Sequence, residues 1–206
     1  MKILFINKNF IQNNNDTNIT FDIKEDLEVS VKADSTLLKN GKPFFIPTYT
    51  NRCIIQYGLI VRISRLGKTI SERFAHRYYD AITVGVSFTP IDLKEKLQKR
   101  NKPIDLCMNI DSSMAIGNFI ALNEGICNKP LENCIYGISI LDKTFCTAIK
   151  DMTHHIDEII AFISNYMSFR QGDLLFIASK DSMQAEIDQH ISGFLDNEKI
   201  LDFNIK

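Results

Sequence analysis

Catalysis and ligand binding draw on imidazoles, thiols, carboxylates and amines placed close together, and in this chain of 206 residues such groups are thinly spread. His154 and His155 are adjacent, so on a helix their rings diverge, and the H-x-x-x-H spacing of a zinc site is absent. His76 follows Arg73 and precedes Tyr79 in a segment of helical spacing, where packing or surface exposure accounts for it. Five cysteines (Cys53, Cys107, Cys127, Cys134 and Cys146) make an odd number with no C-x-x-C pair, which predicts free thiols and a reducing, cytoplasmic setting. No G-x-S-x-G elbow, Walker loop or G-x-G-x-x-G fingerprint occurs.

Composition narrows the classes further. With 24 Lys+Arg against 25 Asp+Glu and a net charge of -1, the chain lacks the basic footprint of a nucleic-acid or anionic-membrane binder. Its longest apolar runs, such as residues 156 to 167, are interrupted by polar groups and fall short of the roughly 18 residues a bilayer span needs. The opening Met-Lys-Ile-Leu-Phe-Ile has no secretory pattern. A single domain over 1–206 is expected, with 45% hydrophobic and 24% charged residues.

The elements that must position any site read as follows. Residues 1 to 6 suit a buried strand, 13 to 18 a polar loop, and 21 to 31 a weakly alternating acidic stretch. Lys39 to Pro43 is a turn, residues 54 to 63 a strand closed by Leu66-Gly67-Lys68, and 81 to 88 a second apolar strand. Between them Ser71 can cap a short helix bearing Phe74, Ala75 and Tyr78 on one face. Asp92 is placed to cap another helix through Lys99, and Thr153 one in which Ile156, Ile159, Ile160 and Ile163 follow the helical rule. Gly172-Asp173 turns into a strand over 174 to 178, and two more strands, near 190 to 195 and 200 to 205, finish the chain. Many short strands and few helices predict a mostly β architecture with peripheral helices.

Residues 55 to 93 carry a resemblance. Gln56-Tyr57-Gly58-Leu59, then a short helix at 73 to 80, then Gly85-Val86-Ser87-Phe88-Thr89-Pro90-Ile91-Asp92 resemble the core of the fumarylacetoacetate hydrolase family. That family writes Glu-x-Glu-Leu and Gly-x-Asp-x-Thr-Ala-Arg-Asp at these places. Lys39 to Pro47, Lys150-Asp151-Met152, Gly172 to Phe176 and residues 191 to 206 are similar to further family segments in the same order.

The resemblance implies a β-sandwich roll and a homodimer. It also implies a lid and lead-in over 1–50, a catalytic-type core over 51–206, and a Mg²⁺ or Mn²⁺ ion held by two Glu and one Asp. In this family the ion chelates the 2-oxo-carboxylate end of a substrate. The corresponding positions here are Gln56, Gly58 and Ser87, none of which is charged. Hard divalent cations need anionic oxygens to replace hydration water, so no metal cofactor is expected. The family's His/Glu pair corresponds to Asn13 and Asp16, its catalytic Lys to Met108, and its Arg to Ile91, while Asp111 retains a family aspartate. An amide at 13 cannot serve as a general base.

Ile177-Ala178-Ser179-Lys180 stands where the family has Thr-Gly-Thr-Pro, and the resemblance places Cys146 near the pocket. A pocket of Gln56, Gly58, Ser87, Ile91, Asp111, Ser179 and Lys180 is therefore expected. Lys180 supplies a charge that could hold a small anion in the metal's stead. These losses predict a degenerate family member acting as a non-catalytic binding or assembly homodimer. Two alternatives stand beside this: an enzyme using the old pocket without metal through Lys180, Asp111 or Cys146, and a metal-dependent 2-oxo-dicarboxylate hydrolase, isomerase or decarboxylase of the 2-hydroxyhepta-2,4-diene-1,7-dioate isomerase type.

Overall fold

The computed structural model describes residues 1–10, 22–23, 27–39, 41–122 and 130–206. The expected loop at 13 to 18, Asn13 and Asp16 within it, and Cys127 lie outside these residues. Twelve described strands form two sheets. The larger contains β1 (Ile3–Asn7), β2 (Glu28–Lys32), β3 (Leu37–Lys39), β4 (Cys53–Ile63), β5 (Tyr79–Pro90), β6 (Met114–Ile116), β7 (Ile120–Ala121) and β10 (Leu174–Gln184). Its order is β2-β1-β10-β4-β5-β6-β3, with β7 also pairing to β5. The smaller contains β8 (Ile135–Ile140), β9 (Lys143–Ala148), β11 (His190–Leu195) and β12 (Glu198–Asn204), in the order β12-β11-β8-β9. Helices are few and short: α1 (Glu72–Ala75), α2 (Ile91–Lys99), α3 (Asp105–Met108) and α4 (Ile156–Tyr166).

Strict alternation on the central strands builds two cores, because successive side chains leave a strand on opposite faces. Tyr57, Leu59 and Val61 of β4 and Val84, Val86 and Phe88 of β5 face the small sheet, where Tyr136, Ile138, Ile191 and Leu201 complete a continuous core. Phe44 stacks on Phe88 at 3.8 Å and closes that layer. The opposite face of the same strands carries a smaller cluster around Ile3, Phe5, Ile60 and Phe176, covered by Leu97 of α2 and Cys107 and Met108 of α3. No helix among the described residues is long and apolar enough to cross a membrane.

The strands expected along 1 to 6, 54 to 63, 81 to 88, 174 to 178 and 190 to 205 are present, several of them longer than predicted. Residues 1–50, expected as lid and lead-in, contribute β1, β2 and β3 to the larger sheet. Two caps differ from expectation. Helix α2 begins one residue before Asp92, with Pro90 at its N-cap. The Asp92 carboxylate instead accepts from the Thr50 hydroxyl at 2.6 Å and from the Asn51 and Leu93 amides. Helix α4 starts after His155, whose amide donates to Glu158 Oε2 at 2.9 Å. Thr153 is held out of the helix because its own amide donates to Asn9 O.

Candidate functional site

The site is organised by an irregularity in β10. Ala178 pairs with Gly58 and Ser182 with Gln56, so Ser179, Lys180 and Asp181 stand opposite the single residue Tyr57. A bulge of this kind re-aims side chains at a sheet rim. Two β4 side chains hold it. Gln56 Nε2 donates to Ser179 O at 3.1 Å, and Tyr57 OH, on the other face, donates to Asp181 Oδ2 at 3.3 Å. Thr147 Oγ1 lies 2.9 Å from the same phenol, and burial pushes the Tyr57 pKa up to about 12, so it stays a neutral donor.

Beside the bulge lies a half-open cavity of about 290 Å³. Of the residues predicted for the pocket, Gln56, Ile91, Ser179 and Lys180 line it, as does Met108. Gly58, Ser87, Asp111 and Cys146 do not. Asp111 sits exposed in the turn after α3, and Cys146 is exposed on β9 of the other sheet, paired with Gly137. Lys8, Glu28 and Lys94, which no motif in the sequence singles out, also border the cavity.

Gly58 and Ser87 share the Gln56 face of the sheet but are closed over. A Cβ on Gly58 would stand 2.5 Å from Ile177 O and 2.7 Å from Phe176 Cε1. The Phe176 ring stacks on Phe5 with centroids 4.7 Å apart and occupies this space. Ser87 is 1% exposed, and its Oγ makes no hydrogen bond among the described residues. No three His, Cys, Asp or Glu side chains converge among those residues in an arrangement that could hold a metal.

Lys32 is the most unusual group on this face. It is fully buried, donates from Nζ to Met108 O at 2.7 Å, and lies 5.1 Å from the centre of the Phe5 ring. Burial lowers its pKa from 10.5 to about 8, partly offset by the nearby Cys107. Nothing in the sequence distinguishes it from other strand lysines. The one available signal is its alternation with Val29 and Val31, which would have pointed it to solvent.

Asn9 anchors the other end of the cavity wall. Fully buried, it donates to His154 O at 2.9 Å and accepts from His154 N at 2.9 Å, tying the end of β1 to the approach to α4.

A family profile described as fumarylacetoacetate (FAA) hydrolase C-terminal matches residues 2–194. The chain is 22% identical over 157 residues to a fumarylpyruvate hydrolase of a Ralstonia species, covering 76% of this chain and 80% of that one. It is 21% identical over 162 residues to an oxaloacetate tautomerase of Escherichia coli, covering 78% and 73%. Its fold superposes with a TM-score of 0.85 on the crystal structure of a Pseudomonas aeruginosa fumarylpyruvate hydrolase in complex with Mn²⁺ and pyruvate, at 16% identity, covering 100% of this chain and 89% of that one.

Proposed function

The chain belongs to the fumarylacetoacetate hydrolase family, and from that premise we propose that it keeps the scaffold and cavity without divalent-metal chemistry, as a non-catalytic binding or assembly homodimer. The observation that carries this reading is the packing at Gly58, where backbone and the Phe176 ring fill the place of a ligand side chain. A divalent cation does not fit the groups that remain. Gln56 Nε2 donates to Ser179 O, which leaves only its neutral amide oxygen, and Ser87 offers a buried neutral hydroxyl. Anionic oxygens are what such an ion requires.

Calorimetric titration with Mg²⁺ or Mn²⁺ is expected to show no saturable binding, and oxaloacetate or an acylpyruvate no turnover. Micromolar metal binding would overturn the reading. Sedimentation velocity is expected to give the mass of two chains.

A second reading has one observation in its favour. The cavity remains open and cationic through Lys94 and Lys180, which suits a metal-independent hydrolase, isomerase or decarboxylase of 2-oxo-dicarboxylates. Turnover that persists in EDTA and is lost in Lys180→Met would select it. The same protein without turnover in EDTA returns the first.

A further inference from the structure

The charge of the cavity wall is unbalanced. Lys8 and Glu28 pair with each other at 2.5 Å. Lys94 and Lys180 make no hydrogen bond or ion pair among the described residues. They approach from different elements: Lys94 from α2, and Lys180 from the β10 bulge. Residues three apart on a helix share a face, so Lys94 joins Ile91 in the wall one turn later. Lys32 adds a cation behind that wall, since its two contacts, Phe5 and Met108, both line the cavity.

Like charges gathered in a cleft concentrate anions there. The same cavity is lined by the neutral hydrogen-bonding side chains Gln56, Thr89, Ser179 and Ser182, while Phe10, Ile54 and Met108 supply apolar wall. At about 290 Å³ the cavity lies at the small end of ligand pockets and suits a small molecule.

We propose that this cavity is a metal-free binding site for a small dianion on a short apolar skeleton, a dicarboxylate or a phosphomonoester, clasped between Lys94 and Lys180. The proposal rests on the reading that no divalent cation is held here. It differs from metal chelation in a measurable way. A 2-oxo group serves to chelate an ion, so the site is indifferent to it.

Isothermal titration at low ionic strength in EDTA tests this with succinate, oxaloacetate, butyrate and glycerol 3-phosphate. Succinate or glycerol 3-phosphate is expected to bind saturably, and whichever is tighter names the head group. Oxaloacetate should match succinate within about threefold, and butyrate should be about tenfold weaker, as should succinate binding to Lys94→Met or Lys180→Met, each of which removes one charge-assisted contact. Lys96→Met, an exposed neighbour on α2 outside this cavity, should bind as the parent does.

Absence of saturable dianion binding in EDTA, or unchanged affinity in both lysine variants, overturns the proposal and leaves the metal-free reading standing. Tightening of oxaloacetate but not succinate by Mn²⁺ overturns the metal-free reading and the indifference to the 2-oxo group with it.

Discussion

At Gln56 one face of β4 opens onto a polar cavity, and two residues further along the same face, at Gly58, it is sealed by Phe176 and the β10 backbone. The change falls where β10 slips register between Ala178 and Ser182. On the Gly58 side the strands run in tight pairing, and the absence of a Cβ lets Phe176 lie flat against the sheet. At Gly85, the cross-strand partner of Gly58, a Cβ would come 2.3 Å from Ile60 Cδ1 and 3.1 Å from Phe176 Cε2. On the Gln56 side the bulge leaves Lys180 exposed at the rim while Ser179 stays buried and Asp181 turns to Tyr57 on the other face. Any side chain at 58 would therefore meet the Phe176–Phe5 stack as well as backbone.

The sharpest way to break this comparison is to force a side chain back into the sealed end. In Gly58→Glu the Cβ meets backbone oxygen, and the carboxylate is buried among apolar groups without a partner. Overpacking and an unpaired buried charge together are expected to cost about 5 kcal/mol, read as a large fall in the urea midpoint. Combining it with Gln56→Glu and Ser87→Asp should give no Mn²⁺ binding. A stable triple variant that binds Mn²⁺ would mean that β10 and Phe176 yield easily, and the two ends of β4 would no longer differ in kind.

Legibility in the sequence divides along the same line. The central strands were readable because Tyr57, Leu59, Val61 and Val84, Val86, Phe88 alternate without interruption, and β4 and β5 extend beyond the predicted ends by only one or two residues. Helix α4 was readable from its isoleucines, all four of which are buried. What failed to show was anything decided by pairing between distant segments. The strand predicted over 174 to 178 runs to Gln184, because it resumes pairing with β4 after the bulge. The cap misassigned to Thr153 depends on Asn9, far away in sequence. At the end of β2 the alternation misleads: Val31 is 48% exposed and Lys32, paired with Ile3 of β1, is fully buried. Of the cavity lining on β4 and β10, Gln56, Ser179 and Lys180 are positions the resemblance points to, whereas Ile54 and Ser182 are not. Nor is Lys94, because its access depends on where α2 starts.

Lys32, buried behind Phe5 and Met108, offers a second test. Its pKa is lowered on folding from 10.5 to about 8, so between those values the unfolded chain holds a proton that the folded chain lacks. Unfolding then takes up a proton, and stability rises with pH across that window. At about 1.4 kcal/mol for each tenfold change in proton affinity, the full effect is about 3 kcal/mol. Lys32→Met keeps the apolar bulk and removes the titration. The stability of the parent relative to this variant is expected to climb by about that amount from pH 7 to 10.5 in parallel urea titrations. A flat difference would place the ammonium in contact with water and make the plug less dry than its packing indicates.

The smallest expected effect belongs to the open end. Gln56→Ala removes the hydrogen bond from Nε2 to Ser179 O, at a rim where water can replace the lost donor. A net loss of about 1 kcal/mol is therefore expected, well below the cost at Gly58. Its consequence for binding should be larger than for folding. The bulge is tied to β4 at two points, Gln56 and Tyr57, and releasing one lets Lys180 sample positions away from the cavity. Dianion affinity measured in EDTA should drop about threefold to fivefold, the equivalent of about 1 kcal/mol of positional freedom. The readout that separates this from simple loosening is a double variant. If Gln56 acts by placing Lys180, adding Gln56→Ala to Lys180→Met should cost no further affinity, whereas independent contacts would weaken binding additively.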